Sequence, residues 1–500
     1  MSESPLGFPH PTYRAIVLGP ALENARERLF GPMLAANTAH VVMLAEQGVL
    51  PQEQAAPLLR AIRNVEAGGV DRVVAAAPPT AEDLFFMVEG GLIAQAGPDI
   101  GGNLQLARSR NDLGAALWRL VARELVLDVI AKVLTFRQSL LTLAEKHVET
   151  LMPGYTHTQP AQPTTLAHHL AGVWGPLERD TARLQVAYTR MNQSPLGAAA
   201  FTTTAFRIDR ARIADLLGFD GVIENGYDAV GASDTMLEGV GALVICASSL
   251  SRFLYDLLVW ARSEVGFIRV DDAFVQISSI MPQKRNPVVL EHLRAHLAYI
   301  FGEAAAVQTM THNAAYADTN DVEDDIQIPL YRAFGHAANV LTLFTVVLET
   351  LHVNTERMAA LAGRGFTTAT ELADTLAREF HLPFRTAHSI TARVVRDALA
   401  AGKEAGAITA ADVHAASMAV TDETVPITDA MVRRALDPAA VVAARALPGG
   451  PAPNRMRATI AESTERLHAD RQWLAATRDH LTDAATAREN AASTIAKIED

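Results

Sequence analysis

The sequence predicts an all-α protein in three regions, with the longest helices in the middle region. Apolar residues recur at helical spacing along most of the 500 residues. Alternating patterns typical of strands are scarce, and breaks containing proline or glycine separate the helical stretches. The expected regions are an N-terminal helical domain at residues 1–107, a central long-helix bundle at 108–360 and a C-terminal helical domain at 361–500.

Composition favours a globular cytoplasmic protein. Hydrophobic residues make up 49% of the chain and charged residues 20%, which is ordinary for a protein with a large core. The formal net charge of −13 argues against nucleic acid as a partner, because phosphate binding favours a basic surface. The single cysteine, Cys246, cannot form an internal disulfide and is expected to be buried and inert. No signal peptide is visible, and no charge-free apolar run reaches the ~18 residues of a membrane span.

The N-terminal region is predicted to contain helices separated by two breaks. Residues 22–65 follow a helical pattern that is interrupted at 48–51. A turn at 75–80 precedes a helix N-terminus at 80–83, and 97–102 forms the second break.

Long helices are predicted in the central region and shorter ones after it. The expected central helices run from Asn111 to about Leu143, onward from Pro163, from 235 to 262, from 287 to about 309, and from 330 to 352. Beyond about residue 361 the helices are expected to be shorter, with breaks at 381–383 and 447–451. Bundles of long apolar helices commonly bury their exposed stripe by forming oligomers.

The stretch 276–287 is the most informative one in the chain. Two serines precede Lys284, and Asn286 with Pro287 is predicted to cap and begin a helix. Amide groups near a helix start, together with Lys284, favour binding of a carboxylate, and a serine beside that anion can act as a nucleophile or a base. The alternative is a serine-rich surface turn before a helix.

This stretch resembles the signature loop of the fumarase/aspartase superfamily, G-S-S-x-M-P-x-K-x-N-P. Members of that superfamily eliminate a group from a succinyl substrate and release fumarate. Ile277 stands where the signature has glycine, which accepts backbone angles that isoleucine does not. The resemblance implies Ser278 as the catalytic base and Lys284 as a catalytic residue, with substrate-binding roles for the neighbouring Ser279, Met281 and Asn286.

A second motif, 108–112, reads Arg-Ser-Arg-Asn-Asp. Two arginines beside an asparagine can grip a carboxylate, although a solvated helix cap accounts for the same residues. The string resembles the R-S-R-N-D motif of the argininosuccinate lyase branch. The resemblance implies that Arg110 and Asn111 bind the substrate's succinyl carboxylates, with Ser109 adjacent. Leu113 occupies a position that is usually glutamine in that branch.

In a third motif, 154–163, a Thr-His pair is followed by proline-rich turn residues, which fits a rigid loop before a helix. The motif resembles the branch signature G-Y-T-H-x-Q-x-A-Q-P. It implies that Thr156 contacts a carboxylate, that Gln162 binds substrate, and that Glu291 holds the catalytic His157. Glu291 stands thirteen residues after Ser278, as in that branch. Taken alone, a structural histidine and an exposed helix charge explain His157 and Glu291 equally well.

The resemblance covers roughly residues 20–440, but it departs from the branch on the amine side. Phe85 replaces a histidine of the E-D-x-H string, and residues 315–325, which include Tyr316, replace the A-Y-N-x-D-x-Q-x-D-K string with a more acidic one. Acidic side chains favour a cationic amine and disfavour the free carboxylate of an arginine. A solvated acidic loop is the alternative.

The expected reaction is therefore an anti elimination from an N-substituted aspartate, giving fumarate and an amine. The departures favour an aminopolycarboxylate such as ethylenediamine-N,N'-disuccinate, as in some members of this branch. Argininosuccinate is the second candidate substrate, and a catalytically silent structural relative is the third possibility. The acid that protonates the leaving nitrogen stays open between His157, a water and none. No cofactor is expected, and no cluster of side chains has the spacing of a metal site. The resemblance also implies a homotetramer whose active sites are each shared between three subunits.

Overall fold

The computed structural model describes residues 8–78 and 80–497, and it is predominantly helical, as predicted. The N-terminal helices begin with a continuous run in which α1 passes through a π-helical turn (Arg14–Leu18) into α2. The helices of this region are α1 (Pro11–Tyr13), α2 (Gly19–Arg28), α3 (Phe30–Glu46), α4 (Gln52–Gly68), α5 (Val70–Ala76), α6 (Leu84–Ala96) and α7 (Pro98–Gly101). The predicted helix start at 80–83 is confirmed, because the Asp83 side chain caps α6 by accepting from the Phe86 amide.

Five long helices form the central bundle, and their packing defines two opposite ends of the molecule. The helices of this region are α8 (Arg110–Lys146), α9 (Leu166–Met191), α10 (Arg210–Leu217), α11 (Gly226–Gly231), α12 (Asp234–Trp260), α13 (Val288–Thr311), α14 (Asn320–Glu323) and α15 (Gln327–Glu349). The long helices α8, α9, α12, α13 and α15 pack against one another around the largest hydrophobic core.

Short strands join the helices. They pair as β1 (Leu151–Thr156) with β2 (Gln159–Thr165), β3 (Gln193–Ser194) with β4 (Gly221–Val222), β5 (Ile268–Arg269) with β8 (His352–Val353), and β6 (Gln276–Ile277) with β7 (Arg285–Asn286). Two of these pairs correct the sequence interpretation. The third motif is an antiparallel hairpin and not a loop, and the Asn286 cap is wrong: Asn286 pairs with Gln276, and α13 begins one residue later than predicted.

The helices after residue 350 are α16 (Thr355–Ala362), α17 (Ala369–Phe380), α18 (Phe384–Ala400), α19 (Ala410–Thr421), α20 (Asp429–Leu436), α21 (Pro438–Ala444) and α22 (Pro453–Ala496). Most of them are short, as expected, and α17 to α20 enclose a separate small core. The last helix differs from the prediction, because α22 has 44 residues and is the longest helix in the described part of the chain. It packs against α8 and α9 and also against α3 and α4, so it joins the central and N-terminal cores.

Helix α12 is only partly covered within one chain. Among the described residues it is the one helix that is long and apolar enough to cross a membrane. It packs in the bundle against α9, α13 and α15. Cys246 lies buried on its inner face, and burial raises the pKa of the thiol. The outer face leaves Ile245 and Tyr255 exposed. Within one chain, therefore, only one face of this helix is covered.

Candidate active site

The Arg-Ser-Arg-Asn-Asp motif forms the N-terminus of α8. Ser109 is the N-cap, and its backbone amide donates to the Asp112 side chain at 3.0 Å to complete a capping box. The Ser109 hydroxyl donates to the Asn111 side chain at 2.7 Å. The motif is therefore a helix cap, and its cap geometry presents Arg110 and Asn111 at the positive end of a long helix, where anions are favoured.

Arg110 is held by acidic and aromatic side chains of α6 and the residues before it. Its guanidinium donates to the Asp83 carboxylate at 2.5 Å and lies 3.8 Å from Glu82. It also lies over the rings of Phe85 and Phe86, with centroid distances of 5.6 and 5.0 Å. Phe85, which replaces the histidine of the branch, thus lies beside Arg110, the arginine predicted to bind a substrate carboxylate.

A cavity of about 560 Å³ surrounds Arg110 and Asn111. Its acidic lining comes from two places, namely Glu82 and Asp83 before α6, and Asp318, Glu323, Asp324 and Asp325 around α14. Burial, and to a smaller extent a hydrogen bond with the Asp318 side chain, raises the pKa of Glu323. Partial burial and the Asp83 carboxylate raise the pKa of Asp324 to about 6. The acidic residues around α14 and the Arg-Ser-Arg-Asn-Asp motif therefore border one cavity.

Glycine at position 114 makes room for the acidic stretch. A Cβ atom built there would clash with the Glu323 carboxylate, so a larger residue at this position would force that side chain to move. Nothing in the local sequence signals this contact, because it joins residues more than two hundred positions apart.

Asp112 was missed by the sequence analysis as a residue that organises the site. It is fully buried, and besides capping α8 it accepts from the amides of Gly197 and Ala199 at 2.9 and 3.0 Å. Burial raises the pKa of Asp112 to about 6 in spite of these bonds. The nearby Arg108 is also buried, and burial lowers the pKa of its guanidinium to about 10. The signal for Asp112 is its burial as a charged residue beside a helix cap. Burial cannot be seen in the sequence, so this role was not predicted.

The tip of the β1–β2 hairpin carries Thr156 and His157. His157 and Thr158 have positive φ angles of 50° and 65°, so the turn projects their side chains into solvent. Thr156 and Gln162 line a groove of about 1110 Å³ between the hairpin, α9, α12 and the start of α22. Within the described residues His157 makes no hydrogen bond or ion pair with Glu291, which is itself exposed in the first turn of α13. The predicted His157–Glu291 pair is therefore not formed inside one chain.

The serine loop spans the residues between β6 and β7. The Ser278 hydroxyl oxygen accepts from the amides of Met281 and Ile280 at 3.0 and 3.4 Å. These amides would stabilise a negative charge on that oxygen. Lys284 is exposed near the end of the loop, and its amide donates to the Met281 carbonyl oxygen at 3.0 Å. Ile277 lies in β6 in an extended conformation, with 76% of its surface exposed, so it fits its backbone position without strain.

Tyr316 lies apart from the serine loop. Its hydroxyl donates to Asp228 at 3.4 Å beside a smaller depression of about 310 Å³. This position follows α13 and precedes the acidic residues around α14, so it belongs to the same end of the bundle as Arg110.

The predicted site residues therefore fall at opposite ends of the bundle. Helix α8 has 37 residues, which corresponds to about 55 Å between its Arg110 end and the hairpin that follows it. Helix α15 begins at the Arg110 cavity and leads to β8. Strand β8 pairs with β5, which comes shortly before the serine loop, so the serine loop lies at the far end of α15 from Arg110. One chain thus brings Ser109, Arg110 and Asn111 together, but it does not bring them to Ser278 or His157.

Comparison with known proteins decides the family. A family model described as lyase matches residues 22–302, and one described as argininosuccinate lyase C-terminal matches 366–443. Argininosuccinate lyase 1 of Shouchella clausii is 36% identical over 469 residues, which is 94% of each chain. The chain belongs to the argininosuccinate lyase family. It is accordingly a fumarate-forming carbon–nitrogen lyase of the fumarase/aspartase superfamily.

Two further relatives show the range of the likeness. Argininosuccinate lyase of Halobacterium salinarum is 43% identical over 452 residues, covering 89% of this chain and 88% of that one. A doubly substituted variant of EDDS lyase with bound fumarate has a TM-score of 0.85 and 31% identity, covering 98% of this chain and 96% of that chain. These relationships confirm the predicted fold class, including its fumarase/aspartase type.

Proposed function

We propose that this lyase catalyses the reversible anti elimination of an amine from an N-substituted aspartate, with an aminopolycarboxylate such as ethylenediamine-N,N'-disuccinate as the substrate type. The observation that carries the proposal is the cavity around Arg110. Of the described residues that line it, Arg110 is the only cationic side chain, and six acidic side chains accompany it. Such a lining favours an ammonium group and offers no second cation for the carboxylate of a released arginine.

The proposed chemistry begins with carboxylate binding and proton removal. Arg110, Asn111, Ser109, Thr156 and Gln162 hold the carboxylates, and Ser278 removes the Cβ proton. The two amides that donate to the Ser278 oxygen supply the stabilisation that a serine needs to act as a base.

The developing charge and the leaving group then need partners. Lys284 and Asn286, with Ser279 and Met281 of the same loop, stabilise the negative charge that accumulates on the substrate carboxylate. The C–N bond breaks, giving fumarate and the amine. Tyr316 borders the amine side, where the acidic residues favour a leaving nitrogen that is already cationic. His157, oriented by Glu291, is the side chain proposed to exchange a proton on the face of the substrate opposite Ser278, because the elimination is anti.

The separation of the motifs supports shared active sites. Because about 55 Å lies between the ends of α8, a complete site requires a second copy whose bundle runs in the opposite direction. The outer faces of the long helices favour such an association, since Tyr255, Tyr299 and Val346 are 60%, 54% and 42% exposed in the single chain. We therefore propose a cytoplasmic homotetramer with sites shared between three subunits. We also propose that each subunit has three domains, which meet at residues 107 and 360.

Cleavage of argininosuccinate is the second candidate, and the sequence relatives favour it. Those named above are argininosuccinate lyases at 36% and 43% identity. A single assay separates the two functions: the protein is incubated with fumarate and arginine, ethylenediamine or ammonia, and loss of fumarate absorbance is followed. We expect consumption with ethylenediamine and little with arginine. Consumption with arginine alone would establish argininosuccinate cleavage, and consumption with none would indicate a silent relative.

A further inference from the structure

Met281 connects the two side chains on which the serine loop depends. Its backbone amide donates to the Ser278 hydroxyl oxygen at 3.0 Å, and its carbonyl oxygen accepts from the Lys284 amide at 3.0 Å. A shift of Met281 would therefore disturb the surroundings of Ser278 and the position of Lys284 together. The proposed mechanism uses this loop, but it uses no reaction of the Met281 thioether.

The Met281 side chain is open to small reagents. In the described part of the chain, only Met281 and Met418 are exposed methionines, at 37% and 47%. The neighbouring side chains of Ile277 and Ile280 are 76% and 83% exposed, so the loop is open to solvent within one chain. A hydroperoxide such as hydrogen peroxide is smaller than any N-substituted aspartate. A site that admits the substrate therefore admits this oxidant to Met281.

The thiol of the chain is protected from the same reagent. Cys246 is the single cysteine, and it lies buried in the bundle. Burial raises the pKa of its thiol, so the thiolate that a peroxide attacks is scarce. Oxidation by a hydroperoxide is therefore directed to the exposed thioethers.

We propose that Met281 is a site of reversible oxidation and that its sulfoxide inactivates the enzyme. The O–O bond of hydrogen peroxide breaks, one oxygen atom bonds to the Met281 sulfur, and the other leaves as water. The sulfur is oxidised by two electrons and the peroxide is reduced by two. The sulfoxide replaces an apolar side chain with a polar one. Its oxygen competes with the Ser278 oxygen for the amides of the loop.

The experiment compares oxidation of Met281 with loss of turnover. The full-length protein is treated with hydrogen peroxide, each methionine is followed by peptide mass spectrometry, and fumarate formation is measured. Met281 and Met418 should gain one oxygen atom before the buried methionines do. Turnover should fall as Met281 is oxidised, to about one hundredth at completion, the loss that follows removal of one backbone donor to a developing charge. Methionine sulfoxide reductases A and B together should restore Met281 and turnover.

Two results in the wild-type protein would overturn the inference, namely oxidation of Met418 without Met281, and full turnover after complete oxidation of Met281. The loss of turnover rests on the proposed role of Ser278, whereas the modification of Met281 does not. A protein that consumes fumarate with no amine before treatment would overturn the proposed function. Peptide masses would still decide whether Met281 is the modified site.

Two variants separate Met281 from the other exposed methionine. Met281→Leu keeps an apolar side chain that peroxide does not oxidise, so it should retain its own untreated rate through the treatment. Met418→Leu is the matched control and should lose turnover as the wild type does, because Met418 lies on α19, beside the separate small core. Equal fractional losses in Met281→Leu and the wild type would overturn the assignment. If Met281→Leu turns over too slowly to measure, the wild-type time course and its reversal by the reductases decide.

Discussion

The two ends of the bundle differ in how complete they are within one chain. At the Arg110 end, charged side chains already have partners: Arg110 binds Asp83, and buried Asp112 holds three backbone amides. At the other end, His157 and Lys284 are exposed, and within the described residues His157 makes no hydrogen bond or ion pair with Glu291, its predicted partner. This difference is what the proposed shared site requires: a single chain would build the binding half, and a second copy would complete the reacting half.

The largest expected effect tests the reacting half. Ser278→Ala should lower turnover by about 10²–10⁴-fold, because the variant loses the proposed base. The melting temperature should change little, since the loop is accessible to solvent. Steady-state fumarate formation and thermal unfolding measure the two quantities.

Ser389→Ala is the matched control for this variant. Ser389 is also half-buried, and its hydroxyl donates within α18 to Arg385, remote from the proposed site. If Ser278→Ala keeps the wild-type rate, Ser278 is not the base.

Subunit mixing tests whether the two ends meet between chains. Arg110→Ala and Ser278→Ala should each be inactive alone, since each removes one half of every site. Co-expressed together, they should recover about a quarter of wild-type activity if subunits mix at random and each site takes the two residues from different chains. The activity of purified mixed oligomers measures this recovery. No recovery in oligomers shown to contain both variants would mean that one chain supplies both residues.

Asp112 tests the binding half through stability. Asp112→Ala should lower the free energy of unfolding by about 2–3 kcal/mol at pH 7, because three backbone amides lose their acceptor. Chemical denaturation measures the change. Asp479→Ala, at an exposed position of α22, should change the free energy of unfolding by less than about 0.5 kcal/mol.

The same variant has a defined pH dependence. Burial raises the pKa of Asp112 from 3.8 to about 6, so the folded state holds this proton more tightly than the unfolded state does. The contribution of Asp112 to stability should therefore grow as the pH falls from 7 through 6 toward 4. The stability difference between wild type and Asp112→Ala should widen over that window, and a difference that narrows would contradict the raised pKa.

The smallest expected effect concerns the aromatic support of Arg110. Phe86→Ala removes the ring that lies 5.0 Å from the guanidinium at a partly exposed position. A contact of this kind contributes about 0.5–1 kcal/mol, so KM for fumarate should rise about two- to fivefold. Initial rates at varied fumarate concentration measure it. Phe384→Ala, an exposed aromatic change at the start of α18, serves as a comparison that lacks contact with Arg110.

The helical class and the short motifs could be predicted from the amino-acid sequence. Helical spacing of apolar residues and caps such as Ser109 and Asp83 act over a few neighbouring residues, so they can be read without coordinates. It also carried the family resemblance in three motifs. The hairpin at 151–165 escaped notice because its prolines and glycine hide the strand pattern, and α22 was missed because its buried positions are few and widely spaced.

The positions of these parts relative to one another could not be predicted from the sequence and depend on how the helices pack. Three features depend on segments that lie far apart in the chain. Glu323 lies against Gly114, Asp112 is buried, and residues of the first helices line the cavity around Arg110. The length of α8 likewise sets the distance between the two halves of the site. Such relations depend on which helices pack together and at which ends, because long-range packing, and not local propensity, fixes them.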